Sequence, residues 1–427
     1  MAVHYTERVV DREIGILSHE IAALSIEGAK AVGKTSTALR IARTVHRLDD
    51  EAARAVAAAD PSRLLQGATP ILIDEWQRLP SSWDLVRRAV DERSPGPGSF
   101  ILTGSASPHA DAPIHSGAGR IVTVRMRPMS LAERNLQPPA VGLGELLSGE
   151  RPTVAGETPL RIADYAHEIT ASGFPGLRGL RGRALRAQLD GYVDRIVERE
   201  IPALGVATRN PAALRRWLAA YAAASSTTAS FEAIRDAATG GTDEKPAKAT
   251  VRPYRDALER LWVLDPVPAW LPTRNRLRRL AAAPKHQLVD PALAARLLGV
   301  DAAALLDAST SGSARHRDAP LLGALFEALV TLDVRVYAQA SEARVGHLRT
   351  AGGEREVDPI VERADGRVVA IEVKMTGSVD DADVRHLRWL RERLGDDLLD
   401  AVVITCGPAA YRRPDGVAVI PAGLLGP

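Results

Sequence analysis

Residues 28–35 have the composition and spacing of a phosphate-binding loop. Two glycines five positions apart are followed directly by a lysine and a threonine. Backbone N–H groups of such a loop turn toward phosphate oxygens, while Lys34 can reach the β- and γ-phosphates and the Thr35 hydroxyl can bind Mg²⁺. The predicted nucleotide-binding residues are Gly28, Ala29, Lys30, Ala31, Val32, Gly33, Lys34, Thr35 and Ser36.

Two acidic residues follow an apolar run further along the chain. The run 70–73 has the pattern of a strand buried on both faces, and Asp74 and Glu75 come directly after it. Asp74 is predicted to hold Mg²⁺ through water, and Glu75 to polarise the attacking water. A solvated acidic turn after an apolar strand is the simpler alternative.

A third buried strand is predicted at 99–105, where the apolar run ends in hydroxyl residues. Either Thr103 or Ser105 could sense the γ-phosphate from the end of this strand. An ordinary Ser/Gly turn is an equally good explanation of the pattern.

A second group of chemically suited residues lies near the C-terminus. The turn at 363–366 predicts a β-hairpin in which Asp358 faces Glu372 and Glu356 faces Lys374. Because alternate residues of a strand share a face, Asp358, Glu372 and Lys374 would converge on one side and form a metal-binding pair of carboxylates with an adjacent lysine. A register shift by one residue would separate them, and an ion-pair lattice between Glu356 and Lys374 needs no metal.

The elements that must position the first group are strands alternating with helices up to about residue 135, as in a parallel α/β sheet. These elements resemble the AAA-type ATPases that carry an Asp-Glu-Trp/Ile-Gln-Arg signature. The resemblance extends over nearly the whole chain and rests on segments 28–35, 74–80, 102–106, 119–120, 127–133, 172–176 and 192–195.

This resemblance implies ATP and Mg²⁺ as cofactors. It also implies an arginine that completes the site, supplied in cis or by a neighbouring subunit of a homo-oligomer. Arg120 is the first candidate and Arg78 the second, and a solvent-facing arginine is the alternative for both.

Residues 320–420 resemble the PD-(D/E)XK nuclease superfamily through Asp358, Glu372 and Lys374. The resemblance implies that the acids hold Mg²⁺ and that the lysine orients or activates water at a phosphodiester. It also implies Glu327, in a preceding helix, as a third metal ligand. Pro359 follows the acid here, whereas proline precedes it in the usual superfamily order.

Length and composition indicate several domains. The 427 residues predict two to four domains, and 45% apolar with 25% charged residues is ordinary globular usage. The net charge of +2 means that any contact with DNA or RNA must come from local patches. Cys406 is the only cysteine, which excludes an intramolecular disulfide, and the lack of a long apolar run predicts a cytoplasmic protein without a membrane partner.

The predicted fold class is α/β, with four successive regions. These are a P-loop parallel-sheet ATPase core at 1–135, a helical connection at 136–210, a winged-helix-like region at 211–285 and an α/β nuclease-like domain at 286–427. Within the third region, helices are predicted at 213–224, 231–238 and 250–262. Residues that could meet phosphates there are Lys245, Lys248, Arg252 and Arg255. Packing between domains is the alternative role of this region.

Two functions are compatible with these patterns. The first is an ATPase that acts on nucleic acid, with metal-dependent cleavage in the C-terminal domain. The second is a nucleotide-controlled switch or scaffold whose C-terminal fold is inactive and binds a partner protein.

Overall fold

The computed structural model describes residues 5–106, 117–208, 210–239, 248–272, 282–310, 319–350 and 352–427. The predicted mixed α/β fold is confirmed: a parallel sheet comes first, helices follow, and a second sheet lies toward the C-terminus. Lys245 lies outside the described residues.

The N-terminal sheet has five parallel strands in the spatial order β2-β3-β4-β1-β5. Its strands are β1 (Ala23–Glu27), β2 (Thr44–Arg47), β3 (Ile71–Asp74), β4 (Phe100–Gly104) and β5 (Ile121–Arg125). Helices α1 (Val9–Ser18), α2 (Lys34–Leu39), α3 (Glu51–Ala59) and α4 (Ser81–Arg93) accompany it. Since β1, β3 and β4 are parallel neighbours, the loops after Glu27, Asp74 and Gly104 all leave from one edge of the sheet.

The segment after this sheet is mainly helical. It contains β6 (Val141–Gly142), α5 (Leu143–Ser148), β7 (Gly156–Glu157), α6 (Ile162–Thr170), α7 (Gly182–Arg195) and α8 (Ile201–Ala203). A π-helical turn, Ile196–Glu200, joins α7 to α8. Such turns are rare and often occur at functional sites.

Among the described residues of the region predicted to be winged-helix-like, three helices are present. They are α9 (Pro211–Ala223), α10 (Phe231–Thr239) and α11 (Lys248–Arg260). Beyond them, two short segments pair antiparallel through Leu264–Leu288 and Val267–Lys285, and we call this pairing the middle ladder. The helices lie close to their predicted positions, and the assignment to the winged-helix class stays a prediction.

The remaining elements are the strands of the second sheet, the helices beside it and a last strand that pairs with β6 in a separate two-stranded sheet. They are α12 (Pro291–Leu297), α13 (Ala302–Thr310), α14 (Ala319–Ala340), β8 (Arg344–Arg349), β9 (Glu356–Glu362), β10 (Val368–Val373), α15 (Arg385–Leu394), β11 (Leu398–Thr405), β12 (Ala409–Arg412), β13 (Ala418–Pro421) and β14 (Leu425–Gly426). Seven strands follow the spatial order β7-β12-β13-β11-β10-β9-β8, with β8, β9 and β10 antiparallel and β10, β11 and β13 parallel. The edge strand β7 comes from the predicted helical connection, so that segment is also part of the C-terminal sheet.

A buried charge cluster joins the two sheets. Asp265 of the middle ladder accepts hydrogen bonds or ion pairs from Arg127 (2.9 Å) and Arg335 of α14 (2.8 Å), and Arg125 at the end of β5 lies 3.5 Å away. Burial alone would raise the pKa of Asp265, but the three guanidinium groups lower it far below its usual range. The carboxylate is therefore ionised and holds the end of β5, the ladder and α14 together.

Within the described residues, no helix is both long and apolar enough to cross a lipid bilayer.

Candidate nucleotide site and carboxylate cage

The phosphate-binding loop connects the end of β1 to the start of α2. Gly28 has φ +157°, and a Cβ there would collide with the carbonyl oxygen of Met126, so only glycine fits. Gly33 adopts φ +105° immediately before α2 begins at Lys34. The loop thus has the strand–loop–helix context that phosphate binding at a helix N-terminus requires.

Lys34 lies buried within this loop. Its ammonium donates hydrogen bonds to the carbonyl oxygens of Gly28 and Ala29, each at 2.9 Å, and its residue is 5% exposed. Burial lowers the pKa of Lys34 to about 8, although Glu75 and Asp74 nearby counteract the shift. The Lys34 ammonium therefore has neutral hydrogen-bond partners in this structure, whereas the phosphate oxygens of a nucleotide would be negatively charged partners.

Asp74 lies beside the first residues of α2, as predicted for a metal-binding acid. Its Oδ1 accepts a hydrogen bond from the Thr35 hydroxyl at 2.8 Å and another from the Thr103 hydroxyl. The carboxylate is buried. A hydroxyl and a carboxylate this close offer the hard oxygen ligands that Mg²⁺ prefers, so these residues fit the ion.

Glu75 follows β3 in a left-handed conformation, with φ +56°. Its carboxylate accepts hydrogen bonds from Gln77 Nε2 at 2.6 Å and from Ser105 Oγ at 3.0 Å, while its backbone N–H points to Thr103 Oγ1 at 3.4 Å. The structure therefore brings Glu75, Thr103 and Ser105 together at one edge of the sheet. Gln77 was not singled out as a contact of Glu75 from the sequence.

A cavity of about 150 Å³ opens beside the loop. Its wall combines residues of the N-terminal segment, of α2, of the segment after β5 and of the turn after α6, among them Tyr5, Ser36, Met126, Met129 and Pro175. The volume is below the ~300–1,000 Å³ of complete small-molecule pockets, which suits part of a ligand rather than a whole nucleotide.

Arg8 is a site residue that the sequence analysis missed. It is 4% exposed, donates to the carbonyl oxygen of Val32 in the loop at 2.8 Å, and pairs with Glu133 at 3.0 Å. Arg8 therefore stabilises the loop through a hydrogen bond to its backbone. Because Arg8 and Glu133 are 125 residues apart, no local pattern could have revealed the pair.

The helical segment also contacts the loop. The ammonium of Lys30 lies 2.6 Å from the carboxylate of Glu200 in the π-helical turn, and the Tyr192 hydroxyl lies 3.4 Å from the Lys30 carbonyl oxygen. Both contacts join the nucleotide loop to the helices that follow the sheet.

The two arginine candidates lie in different places. Arg120 immediately precedes β5, whose first residue pairs with Ala23 at the start of β1, and it forms an ion pair with Asp91 at 2.7 Å. Four residue steps along β1, about 13 Å, separate that end from the phosphate loop. The strand register therefore does not bring Arg120 to the phosphate loop of its own chain, and its assignment as the arginine that completes a site stays a prediction beside the solvent-facing alternative. Arg78 is exposed in the turn after β3, at the same end of the sheet as the phosphate loop.

The C-terminal hairpin has the predicted register. Val368, Val369 and Ala370 pair with Glu362, Val361 and Ile360, which is the alignment that brings Asp358 toward Glu372. The expected pairing of Glu356 with Lys374 is not what the structure shows. Lys374 instead lies 2.7 Å from Glu372, and Glu356 lies 2.9 Å from Lys285.

Lys285 is the centre of the C-terminal cluster. Its ammonium contacts Glu327 at 2.9 Å, Glu356 at 2.9 Å and also Asp358. We call the four acids Glu327, Glu356, Asp358 and Glu372 the carboxylate cage. Lys285 comes from the middle ladder, more than 40 residues before the nearest cage residue in sequence, which explains why the spacing of the acids did not indicate it.

Burial is the main influence on the pKa values of three cage acids. It raises the pKa of Glu372 to about 7 despite the Lys374 ammonium, and it raises the pKa of Glu327 and of Asp358 despite Lys285. The surrounding acids raise the pKa of Lys285, which burial alone would lower, so this lysine stays charged. Among the described residues, no group of three or more His, Cys, Asp or Glu side chains is arranged to hold a metal ion.

The basic residues of α11 are partly neutralised within the helix. Arg252 is 80% exposed and lies 3.8 Å from Asp256, and Arg255 contacts both Asp256 (3.1 Å) and Glu259 (3.7 Å). The side chain of Lys248 is outside the described part of the structure. The charged face is thus mixed rather than uniformly basic.

Comparisons with known families agree with the N-terminal geometry. Residues 21–135 match a family described as an AAA domain, and together with the loop, Asp74 and Glu75 this match supports a P-loop ATPase. Residues 162–304 and 322–425 match two families described as domains of unknown function, DUF8612 and DUF4143.

Among solved structures, the chain is similar to the Walker-type ATPase PABY2304 of Pyrococcus abyssi. The identity is 16%, the TM-score is 0.39, and the similarity covers 69% of this chain and 96% of that one. A comparison with curated proteins found no match.

Proposed function

We propose that the chain binds Mg²⁺–ATP at residues 28–36 and hydrolyses it, and that the nucleotide state controls the rest of the molecule. The observation that carries the proposal is the position of Asp74. Its buried carboxylate accepts hydrogen bonds from Thr35 at the start of α2 and from Thr103 at the end of β4. The hydroxyl proposed to bind the metal and the hydroxyl proposed to sense the γ-phosphate therefore both contact one oxygen atom of the proposed metal-binding acid.

Each side chain then has a defined role. Backbone N–H groups of residues 28–36 bind the phosphates, Lys34 exchanges its carbonyl partners for β- and γ-phosphate oxygens, and Thr35 and Asp74 hold Mg²⁺. Bound Mg²⁺ would neutralise charge on the phosphates. Glu75 polarises the attacking water, and the cavity bordered by Tyr5 and Pro175 receives the base.

An arginine supplied by a second copy of the chain would complete the site. Arg120 lies at the far end of the sheet from its own loop, and its side chain, which pairs with Asp91, is 46% exposed. This position is compatible with action on the nucleotide of a neighbouring subunit in a homo-oligomer.

The test of hydrolysis is the Glu75→Gln variant. Loss of the water-polarising carboxylate should reduce the steady-state rate of ATP turnover by at least about 100-fold while ATP affinity stays within about threefold, because the amide keeps the size of the side chain. Phosphate release and calorimetry measure the two quantities. Glu92→Gln, at an exposed position of α4, is the matched control. Equal turnover in the Glu75 and Glu92 variants would remove Glu75 from the mechanism.

A second candidate function is action on nucleic acid with phosphodiester cleavage. The observations that favour it are the order helix, three antiparallel strands, helix and parallel strand from α14 to β11, and the meeting of Glu327 with Asp358 at one lysine. Nicking of supercoiled DNA with Mg²⁺ or Mn²⁺, lost in Asp358→Asn, together with DNA-stimulated ATP turnover, would support it. DNA-independent turnover without nicking would favour a switch or scaffold whose C-terminal fold binds a partner protein.

A further inference from the structure

The carboxylate cage already contains a cation. Lys285 is 2% exposed, and its ammonium forms ion pairs with three acids from two different elements, α14 and β9. Glu372 on β10, the fourth acid, lies close enough for both Glu327 and Lys285 to influence its pKa. The ammonium therefore lies where a metal ion would have to lie in order to contact Glu327 and Asp358 together.

The cage contains more acidic than basic groups. Four carboxyl groups face the two ammonium groups of Lys285 and Lys374, burial favours the protonated form of Glu327, Asp358 and Glu372, and Lys374 is 37% exposed at the rim. A hard divalent cation would bring two charges where the Lys285 ammonium brings one, and the oxygen atoms of these acids are the ligands that such a cation prefers.

A buried imidazole provides an independent sign that the cage is built around a cation site. His347 is 2% exposed, its Nε2 lies 3.0 Å from the carbonyl oxygen of Ala283, and its Nδ1 lies 3.7 Å from Asp358 Oδ1 without a hydrogen-bond partner in the described structure. Burial lowers the pKa of His347 to about 4, so the ring is neutral and faces the cage with an unsatisfied nitrogen.

The backbone that carries Lys285 is not a strand of the C-terminal sheet. It pairs with Val267 of the middle ladder through two hydrogen bonds of 2.9 Å, and Asp265 anchors the same ladder to Arg127 after β5. The same segment also pairs with β8 through Ala269 and His347, so the lysine is brought to the cage by an element attached to both halves of the chain.

We propose that Lys285 is a built-in cation that occupies the place of a divalent metal ion. With Lys285 in position, the cage binds no metal. When Lys285 is withdrawn or removed, Glu327, Asp358 and Glu372 bind one hard divalent cation. The C-terminal domain thus contains a latent metal site closed by the middle ladder.

The experiment measures Mn²⁺ binding without nucleotide, by the electron paramagnetic resonance signal of free Mn²⁺ and by thermal shift. All proteins carry Asp74→Asn, which removes the predicted metal ligand of the ATP site, so the outcome does not depend on the proposed ATPase function. Lys285→Met should gain about one bound Mn²⁺ per chain and a Mn²⁺-dependent rise in Tm. The parent should show neither, and adding Asp358→Asn to Lys285→Met should abolish both.

Lys374→Met is the matched control, because it removes the same charge from the cage and leaves Lys285 in place. Equal Mn²⁺ binding by the parent, or an equal gain in Lys374→Met, would overturn the proposal. If Lys285→Met is unfolded, Lys285→Met combined with Glu356→Gln preserves the net charge and should bind Mn²⁺. A folded double variant that binds none would also overturn the proposal.

Discussion

Lys34 and Lys285 are both almost completely buried, yet their surroundings are opposite. The ammonium of Lys34 donates to two neutral carbonyl oxygens of its own loop, whereas that of Lys285 meets three carboxylates. Burial lowers the pKa of Lys34 to about 8, while the acids raise the pKa of Lys285. The same residue type thus has neutral hydrogen-bond partners in one site and acidic partners in the other.

This contrast separates a site that can gain a ligand from one whose charged partners are already in place. A buried ammonium paired only with dipoles gains much when phosphate arrives, because charge-assisted hydrogen bonds replace weaker neutral ones. A buried ammonium surrounded by acids gains nothing from a further anion, and its removal leaves the acids uncompensated. Substitutions at the two lysines should therefore have effects of opposite kind.

The largest effect is expected for Lys285→Met. Leaving three cage acids without their cation should lower the free energy of unfolding by about 3–5 kcal/mol in the absence of metal. Chemical denaturation with and without EDTA measures it. Lys374→Met, at a position that is 37% exposed, should cost less than about 1 kcal/mol. Similar losses at both positions would mean that Lys285 is no more important than a surface lysine.

Lys34→Met should weaken ATP binding by about 10- to 100-fold, since it deletes charge-assisted hydrogen bonds worth about 1.5–3 kcal/mol. Without nucleotide, the same variant should be as stable as the parent or more stable, because it removes a poorly solvated charge. Calorimetry and thermal denaturation measure the two properties. Unchanged ATP affinity, or a loss of stability comparable with that of Lys285→Met, would remove the contrast between the two lysines.

The smallest effect concerns pH. Because the free protein holds Lys34 with a pKa of about 8 and bound phosphates favour its charged form, titration of Lys34 should not change ATP affinity with pH below pH 8. Above pH 8 the site must take up a proton on binding, so affinity should fall, by up to about tenfold per pH unit. Titrations at pH 7, 8 and 9 test this, with Lys34→Met as the variant in which the fall should disappear. A parent whose affinity is constant to pH 9 would show that the pKa of Lys34 is not lowered.

Local spacing allowed part of the molecule to be predicted. The phosphate loop, the buried strands before Asp74 and Ser105, and the hairpin register around Gly366 each depend on neighbours in the chain, and the structure places them as expected. These features arise from turn chemistry and from strand periodicity, which a short segment contains in full.

The remaining features depend on partners that are far apart in sequence. Arg8 meets Glu133, and Lys285 meets Asp358 across 73 residues, so neither contact leaves a local pattern. Arg120 was a candidate only through the resemblance, which carries no distances, and the strand register puts it at the end of the sheet away from its own loop. The predicted metal ligands of the cage were chosen from the hairpin register and, for Glu327, from the resemblance, and neither could indicate a lysine among them.

The position of Asp265 has a practical consequence for dividing the chain. A fragment that begins at residue 286, the predicted start of the C-terminal domain, would lack both Lys285 and Asp265. Such a fragment would expose Arg335 without its acid and would leave Glu327 and Asp358 without their ammonium. It would also lose β7, the edge strand supplied by residues 156–157. Biochemical experiments should therefore use both halves together, since a truncated C-terminal piece would present a cage that does not exist in the whole protein.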